Sequence, residues 1–139
     1  MGKSAPTRFD RIRPVHPHRW LWEPLENDPM FVLRSMFGAK AVFLSGQLML
    51  CFCASEEPWR GILICTDQLR HAALLEEFPE FVEHPILPKW LYLSEASDHF
   101  ERTALRLVSL ARKRDARIGV TPQPKRSRVR PKSARPPRP

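Results

Sequence analysis

The sequence predicts an α+β domain of two layers, a mainly antiparallel sheet with helices packed on one face and flexible basic termini. Three observations carry this reading. Residues 34–54 contain two apolar runs folded back on each other at Ser45-Gly46, rich in aromatic and β-branched residues, which is a hairpin signal. Short apolar strands recur at 62–65 and 90–93. Helical spacing of apolar residues begins only after the first strands, at 66–78 and 98–111. Strands and helices therefore do not alternate as they do in a parallel α/β fold.

Residues 1–18 hold Pro6, Pro14 and Pro17 among basic and small residues and read as a loose arm, with His16 and His18 solvated. Trp20, Leu21, Trp22 and Leu25 form the first dense apolar cluster. Pro24 fits the first turn of a short helix that ends before Asp28-Pro29, and both tryptophans are expected to pack on the sheet. Phe31 to Phe37 reads as a first strand leading into Gly38, with a short helix over 29–35 as the alternative. In the hairpin, Val42, Phe43 and Leu44 precede the turn. After it, strict alternation places Leu48, Leu50 and Phe52 on one face and Met49, Cys51 and Cys53 on the other. A strand apolar on both faces belongs in the middle of a sheet.

Glu56-Glu57-Pro58 makes a loop, and Trp59-Arg60-Gly61 leads into the strand Ile62 to Cys65. Thr66 is the expected N-cap of a helix with Asp67 in its first turn. Its buried stripe is Leu69, Ala72, Ala73 and Glu76, closed by Leu74, Leu75 and Phe78, and Pro79 stops it. An irregular crossing with Pro85 and Pro88 precedes the strand Trp90 to Leu93. Asp98 and Glu101 make a capping-box-like start to the last helix. Its apolar face is Phe100, Ala104, Leu107, Val108 and Ala111, its last turn carries Arg112, Lys113 and Arg114, and Gly119 lies beyond its end.

The 139 residues are one domain's length, and the net charge of +8 is unevenly spread. Residues 1–18 carry +3 and residues 121–139 carry +7, leaving 12 basic against 14 acidic residues in 19–120. The high net charge belongs to the ends, so it gives the central part no grip on nucleic acid. With six prolines and seven basic residues, 121–139 cannot bury enough apolar surface to fold. The expected organisation is a flexible basic arm at 1–18, a single α+β domain at 19–120 and a disordered basic tail at 121–139. Three cysteines in apolar strands fit reduced thiols in a reducing compartment, and no secretory leader or membrane-spanning run is visible, so the expected location is cytoplasmic.

No catalytic, metal or cofactor motif stands out. Cys51 and Cys53 share a strand face, but with Cys65 and a histidine they match no zinc spacing and read as core residues. His71 and His84 are candidates for an acid or base, yet neither has a nucleophile beside it in a recognisable motif. Glu76, Glu77, Glu80 and Glu83 read as a solvated acidic face. Trp59-Arg60 and Lys89-Trp90 each pair an aromatic with a cation. If the two loops meet, Trp59, Arg60, Lys89 and Trp90 form a ligand pocket; otherwise the tryptophans cover the sheet edge and the cations extend outward. In the tail, Lys125, Arg126, Arg128, Arg130, Lys132, Arg135 and Arg138 are candidates for polyanion contact, which counterion release makes salt-sensitive and sequence-independent.

Ser35-Met36-Phe37-Gly38, followed by Val42-Phe43-Leu44-Ser45-Gly46, resembles the N-terminal domain of the Sxy/TfoX competence-regulator family. The likeness covers about 34–54, with the strand order following to about 65; Ala39 stands where the family has a second glycine. It implies a small α+β unit in a regulatory setting linked to DNA uptake, with no catalytic residues to carry over. Together these readings point to a non-enzymatic binding or regulatory module whose basic tail contacts nucleic acid. The alternatives are a small enzyme or ligand-binding protein using the Trp/Arg/Lys pocket with His71 or His84, and an accessory protein that oligomerises through an exposed sheet or tryptophan surface.

Overall fold

A computed structural model describes residues 15–36 and 38–122. The elements in chain order are helix α1 (Arg19–Trp22), a 3₁₀ turn (Glu23–Asn27), and strands β1 (Phe31–Met36), β2 (Ala39–Leu44), β3 (Gln47–Ala54) and β4 (Arg60–Ile64). A second 3₁₀ turn (Gln68–Arg70), α2 (His71–Glu77), β5 (Val82–Glu83), β6 (Leu91–Ser94) and α3 (Phe100–Arg112) complete the fold. The strands form one antiparallel sheet in the order β1-β2-β3-β4-β6-β5. This is the α+β architecture the sequence predicts, with β3 inside the sheet.

The hairpin turns at Ser45 and Gly46, whose φ angles of 53° and 79° suit a two-residue primed turn that matches strand twist. Leu44 and Gln47 close it. Alternation in β3 fails at one point. Val42 pairs with Leu50 but Phe43 pairs with Leu48, so Met49 is an extra residue in a bulge. Leu48 therefore joins Cys51 and Cys53 on one face, while Met49, Leu50 and Phe52 lie on the other. The predicted grouping of Leu48 with Leu50, and of Met49 with the cysteines, is corrected by that bulge.

Leu50, Phe52, Ile62, Ile64, Leu91 and Leu93 face all three helices, with Leu21, Trp22, Leu74, Phe78, Ala104 and Leu107 packed against them. Fully burying side chains of this size contributes about 1.5–3 kcal/mol each. Trp22 meets Phe52 at 5.1 Å between centroids, as a sheet-packing tryptophan should, whereas Trp20 stays 43% exposed. Helix α3 buries Phe100, Thr103, Ala104, Leu107, Val108 and Ala111 at helical spacing. Among the described residues no helix packs on the opposite sheet face. Ala41, Leu48, Cys51, Cys53, Leu63, Cys65 and Tyr92 are covered there by Trp59, Leu87, Trp90 and Val120.

Several local expectations are corrected. Thr66 does not cap a helix; its hydroxyl donates to Arg117 O at 2.7 Å and ties β4 to the segment after α3. The 3₁₀ turn at 68–70 shifts the phase of the helix after it, so α2 buries His71 and Leu74, with Phe78 just beyond its end, while Leu69 is 95% exposed and Ala72 and Ala73 face out. Asp98 makes no capping bond; His99 precedes α3, and its carbonyl accepts from Thr103 N. His16 and His18 are not solvated. His18 is 3% exposed, and its ring lies 5.3 Å from Phe100, while the His16 ring stands edge-on to Trp22 at 5.1 Å. Beyond α3, Gly119 N–H donates to Cys65 O, and Val120 and Leu48 exchange backbone hydrogen bonds, so the chain up to 120 belongs to the sheet. Residues 1–14 and 123–139, which contain most of the predicted arm and tail, lie outside the described residues.

Candidate functional site

The four residues of the sequence-predicted pocket are partly brought together. Trp59 and Trp90 both pack into the sheet face opposite the three described helices. The link between them is His84, whose ring lies 4.4 Å from Trp59 and whose backbone N–H donates to Trp90 O. Lys89 Nζ stands 5.4 Å over the Trp90 ring. Arg60 is turned elsewhere: Nη1 donates to Ser55 O at 3.1 Å and Nε lies 2.9 Å from Glu95 Oε1.

His84, His71 and the cysteines are engaged within the protein. His84 is fully buried. Its Nε2–H donates to Pro58 O at 2.7 Å, and Nδ1 accepts from Ile86 N and Leu87 N, each at 3.1 Å. Both ring nitrogens are thus occupied by backbone, which leaves neither for proton transfer to a ligand. His71 Nε2 bonds Lys89 O at 2.9 Å, and its Nδ1 lies 3.3 Å from Glu83 Oε2. Cys51 and Cys65 Sγ atoms lie 3.9 Å apart in the core. Burial pushes the Cys53 thiol up to about 12 and raises Cys65 as well, which disfavours the thiolate form of both. Among the described residues no group of three His, Cys, Asp or Glu is placed to hold a metal ion. No described helix is long and apolar enough to cross a membrane.

Of the acidic cluster, Glu77 accepts from Arg106 and Arg117, Glu80 accepts from Thr103, and Glu83 lies against His71, while Glu76 is exposed. A cleft of about 570 Å³ lies at the start of α3, lined by His18, Trp20, Glu95, Asp98, His99 and Glu101 among others. At its inner wall His18 Nε2 is 3.7 Å from Glu95 Oε1, too far for a hydrogen bond. Glu95 Oε1 is also buried, with Arg60 Nε 2.9 Å away in an ion pair. Burial, then the neighbouring histidine, holds His16 below the ordinary imidazole range; burial does the same for His18 against the opposing pull of Glu95.

The sheet edge formed by β1 is different. Its six residues contain no proline, Met30 beside it is 51% exposed, and Val32 and Leu33 are 42% and 36% exposed. Ser45 N–H donates to Met30 O across the β1–β2 pair. Antiparallel alternation from that bond directs Val32, Arg34 and Met36 backbone groups toward β2, and turns the N–H and C=O of Leu33 and Ser35 outward. The edge is flanked by a groove on each face. One, of about 600 Å³, is lined by Val32, Arg34, Met36, Phe43 and Pro122 with Ser35 and Gly46. The other, of about 410 Å³, is lined by Leu33, Lys40, Trp22, Val15, His16, Arg19 and Glu26. Each has an apolar floor and a cation. Arg34 lies over the Phe43 ring at 5.9 Å, and Lys40 Nζ donates to Ser35 Oγ at 3.0 Å. Neither cation pairs with a carboxylate among the described residues.

Sequence reading places a strand at 31–37 but not this site. The one available signal is Arg34-Ser35 in the middle of an otherwise apolar strand, which distinguishes it from uncharged β3. The seven basic tail residues from Lys125 to Arg138 lie outside the described residues. Comparison with known proteins finds no matching family model, curated protein or solved structure.

Proposed function

We propose that this protein is a non-enzymatic interaction module that takes up an extended segment of a partner protein along the free edge of β1, while its basic tail adds electrostatic affinity for nucleic acid. The observation that carries the reading is the half-exposed β1, whose outer edge pairs with no described strand and is flanked by two grooves, set against His71, His84 and core thiols that are engaged within the protein. An exposed sheet edge binds a strand through main-chain hydrogen bonds, and pockets beside it select side chains. Reduced core thiols fit a cytoplasmic setting, and the likeness of 34–54 to the Sxy/TfoX domain fits a regulatory one.

The tail's part is tested by titrating fluorescent RNA and duplex DNA against the full chain and against residues 1–122 over a range of salt. The cut comes after Val120, whose bonds to Leu48 belong to the sheet. Binding that falls steeply with salt in the full chain and is lost in 1–122 is the expected result. Equal binding by both, or none by the full chain, removes the tail from the account. The edge is tested with Leu33→Pro, which removes an outward N–H without removing a β1–β2 bond. Peptides selected from a random extended-peptide library on the full chain should lose affinity for that variant. Undiminished binding contradicts edge pairing.

A further inference from the structure

We infer that the β1 edge recognises an antiparallel strand carrying two adjacent carboxylates flanked by apolar residues, an inference that rests on the edge-pairing reading above. The directions of the β1 side chains set the pattern. Arg34, Val32 and Met36 share the face of Ala41, Phe43 and Ala39, whereas Leu33 and Ser35 share the face of Val42 and Lys40. A residue placed opposite Arg34 sits over the groove floored by Phe43, Val32 and Met36. The next residue, opposite Ser35, projects from the other face, where Lys40 reaches across Ser35 toward the free edge.

The two cations, neither paired with a carboxylate among the described residues, thus stand one residue apart along the edge and on opposite faces. Consecutive residues of a strand also project to opposite faces, so adjacent acids satisfy both cations at once. On either side of the acidic pair the incoming strand meets apolar groups. Leu33, Trp22 and Val15 lie on one face, and Val32 and Met36 on the other. The backbone contribution comes from Leu33 and Ser35, which present an N–H and a C=O each and are spaced as a hydrogen-bonded strand requires. A second copy of this chain fits less well, because β1 carries no acid and would bring Arg34 to an edge with the same charge.

Every peptide is titrated by fluorescence anisotropy against the full chain. The lead sequence has an acidic pair between two apolar residues on each side. Its comparators replace the acids with amides, replace them with lysines, or scramble the order at fixed composition. The acidic-pair peptide is expected to bind about tenfold tighter than the amide peptide, since two opposite-charge cross-strand pairs each add a few-fold. The lysine peptide should not bind the wild-type chain but should bind Arg34→Glu/Lys40→Glu. Leu33→Pro should weaken every peptide that binds the wild-type chain. Equal binding of amide and acidic peptides, with Leu33→Pro still damaging, overturns the charge assignment and keeps edge pairing. Binding indifferent to residue order and to Leu33→Pro places the peptide on the basic tail and overturns both. A concentration-dependent dimer in light scattering that Leu33→Pro abolishes makes the occupant a second copy and overturns the inference.

Discussion

The two edges of this sheet solve the same problem in opposite ways. At one end, β5 is two residues long, comes shortly after Pro79, and runs into His84 and Pro85. His84 is locked to Pro58 and to the 86–87 backbone, so the chain leaves the edge at once. At the other end, β1 is six residues long, regular in its pairing with β2, and apolar on the exposed side of the sheet. Edge strands are normally kept short, bulged or interrupted by proline because an open ladder invites another strand. The β5 end obeys that rule. The β1 end departs from it except for Arg34, so the difference locates the place where the fold can accept another chain.

Changes in the closed half should cost the most stability. Gly61 has φ 151°, and a Cβ there would stand 2.1 Å from Leu93 O and 2.9 Å from Glu95 N. Gly61→Ala therefore has to part β4 from β6, and we expect a loss above about 3 kcal/mol in chemical denaturation. A loss under about 1 kcal/mol would mean that this half is as yielding as the open one. Next comes His84→Ala, which leaves the amides of Ile86 and Leu87 and the carbonyl of Pro58 unpaired. A cost of about 3 kcal/mol is expected, with the β5 end fraying first in amide exchange.

A smaller, pH-dependent effect belongs to the N-terminal segment. His16 and His18 are held below their ordinary 6.5 in the folded protein, so the unfolded chain binds their protons more readily. Their contribution is fully present above about pH 6.5 and is lost as pH falls through the lowered folded values. The melting temperature should fall between about pH 7 and pH 5, and His18→Gln should flatten that dependence. An unaltered profile would remove His18 from the cause. The smallest effect on stability is expected at β1. Leu33→Ala should change it by less than about 1 kcal/mol, since the side chain is already 36% exposed, while weakening capture of an extended peptide.

Much of the fold was legible in the sequence because its signals are local. Ser45-Gly46 announces a hairpin, the apolar run after it announces an interior strand, and the spacing in 100–111 announces an amphipathic helix. The features that escaped depend on partners distant in the chain. A bulge at Met49 leaves no mark in a continuously apolar run, because either parity looks buried. The 3₁₀ turn before α2 rotates Leu69 outward, although its spacing from Ala72 and Ala73 suits a single stripe. His16 and His18 sit in a proline-containing segment that reads as solvated, and packing against the distant Phe100 and the nearby Trp22 makes them internal. The site was the least visible part. Whether a strand lies at an edge is decided by the order of the sheet, and within Phe31 to Met36 only Arg34-Ser35 hints at it.

The central claim is that β1 is the edge that accepts a strand. It is tested most directly by amide hydrogen exchange on the full chain, read residue by residue with and without the acidic-pair peptide. Without peptide, the outward amides of Leu33 and Ser35 should exchange quickly while Leu63, inside the sheet, exchanges slowly. With peptide, Leu33 and Ser35 should become protected and β5 should not change. Protection that appears at Val82 and Glu83, or protection of Leu33 and Ser35 that is already complete in the free monomer, would contradict the account.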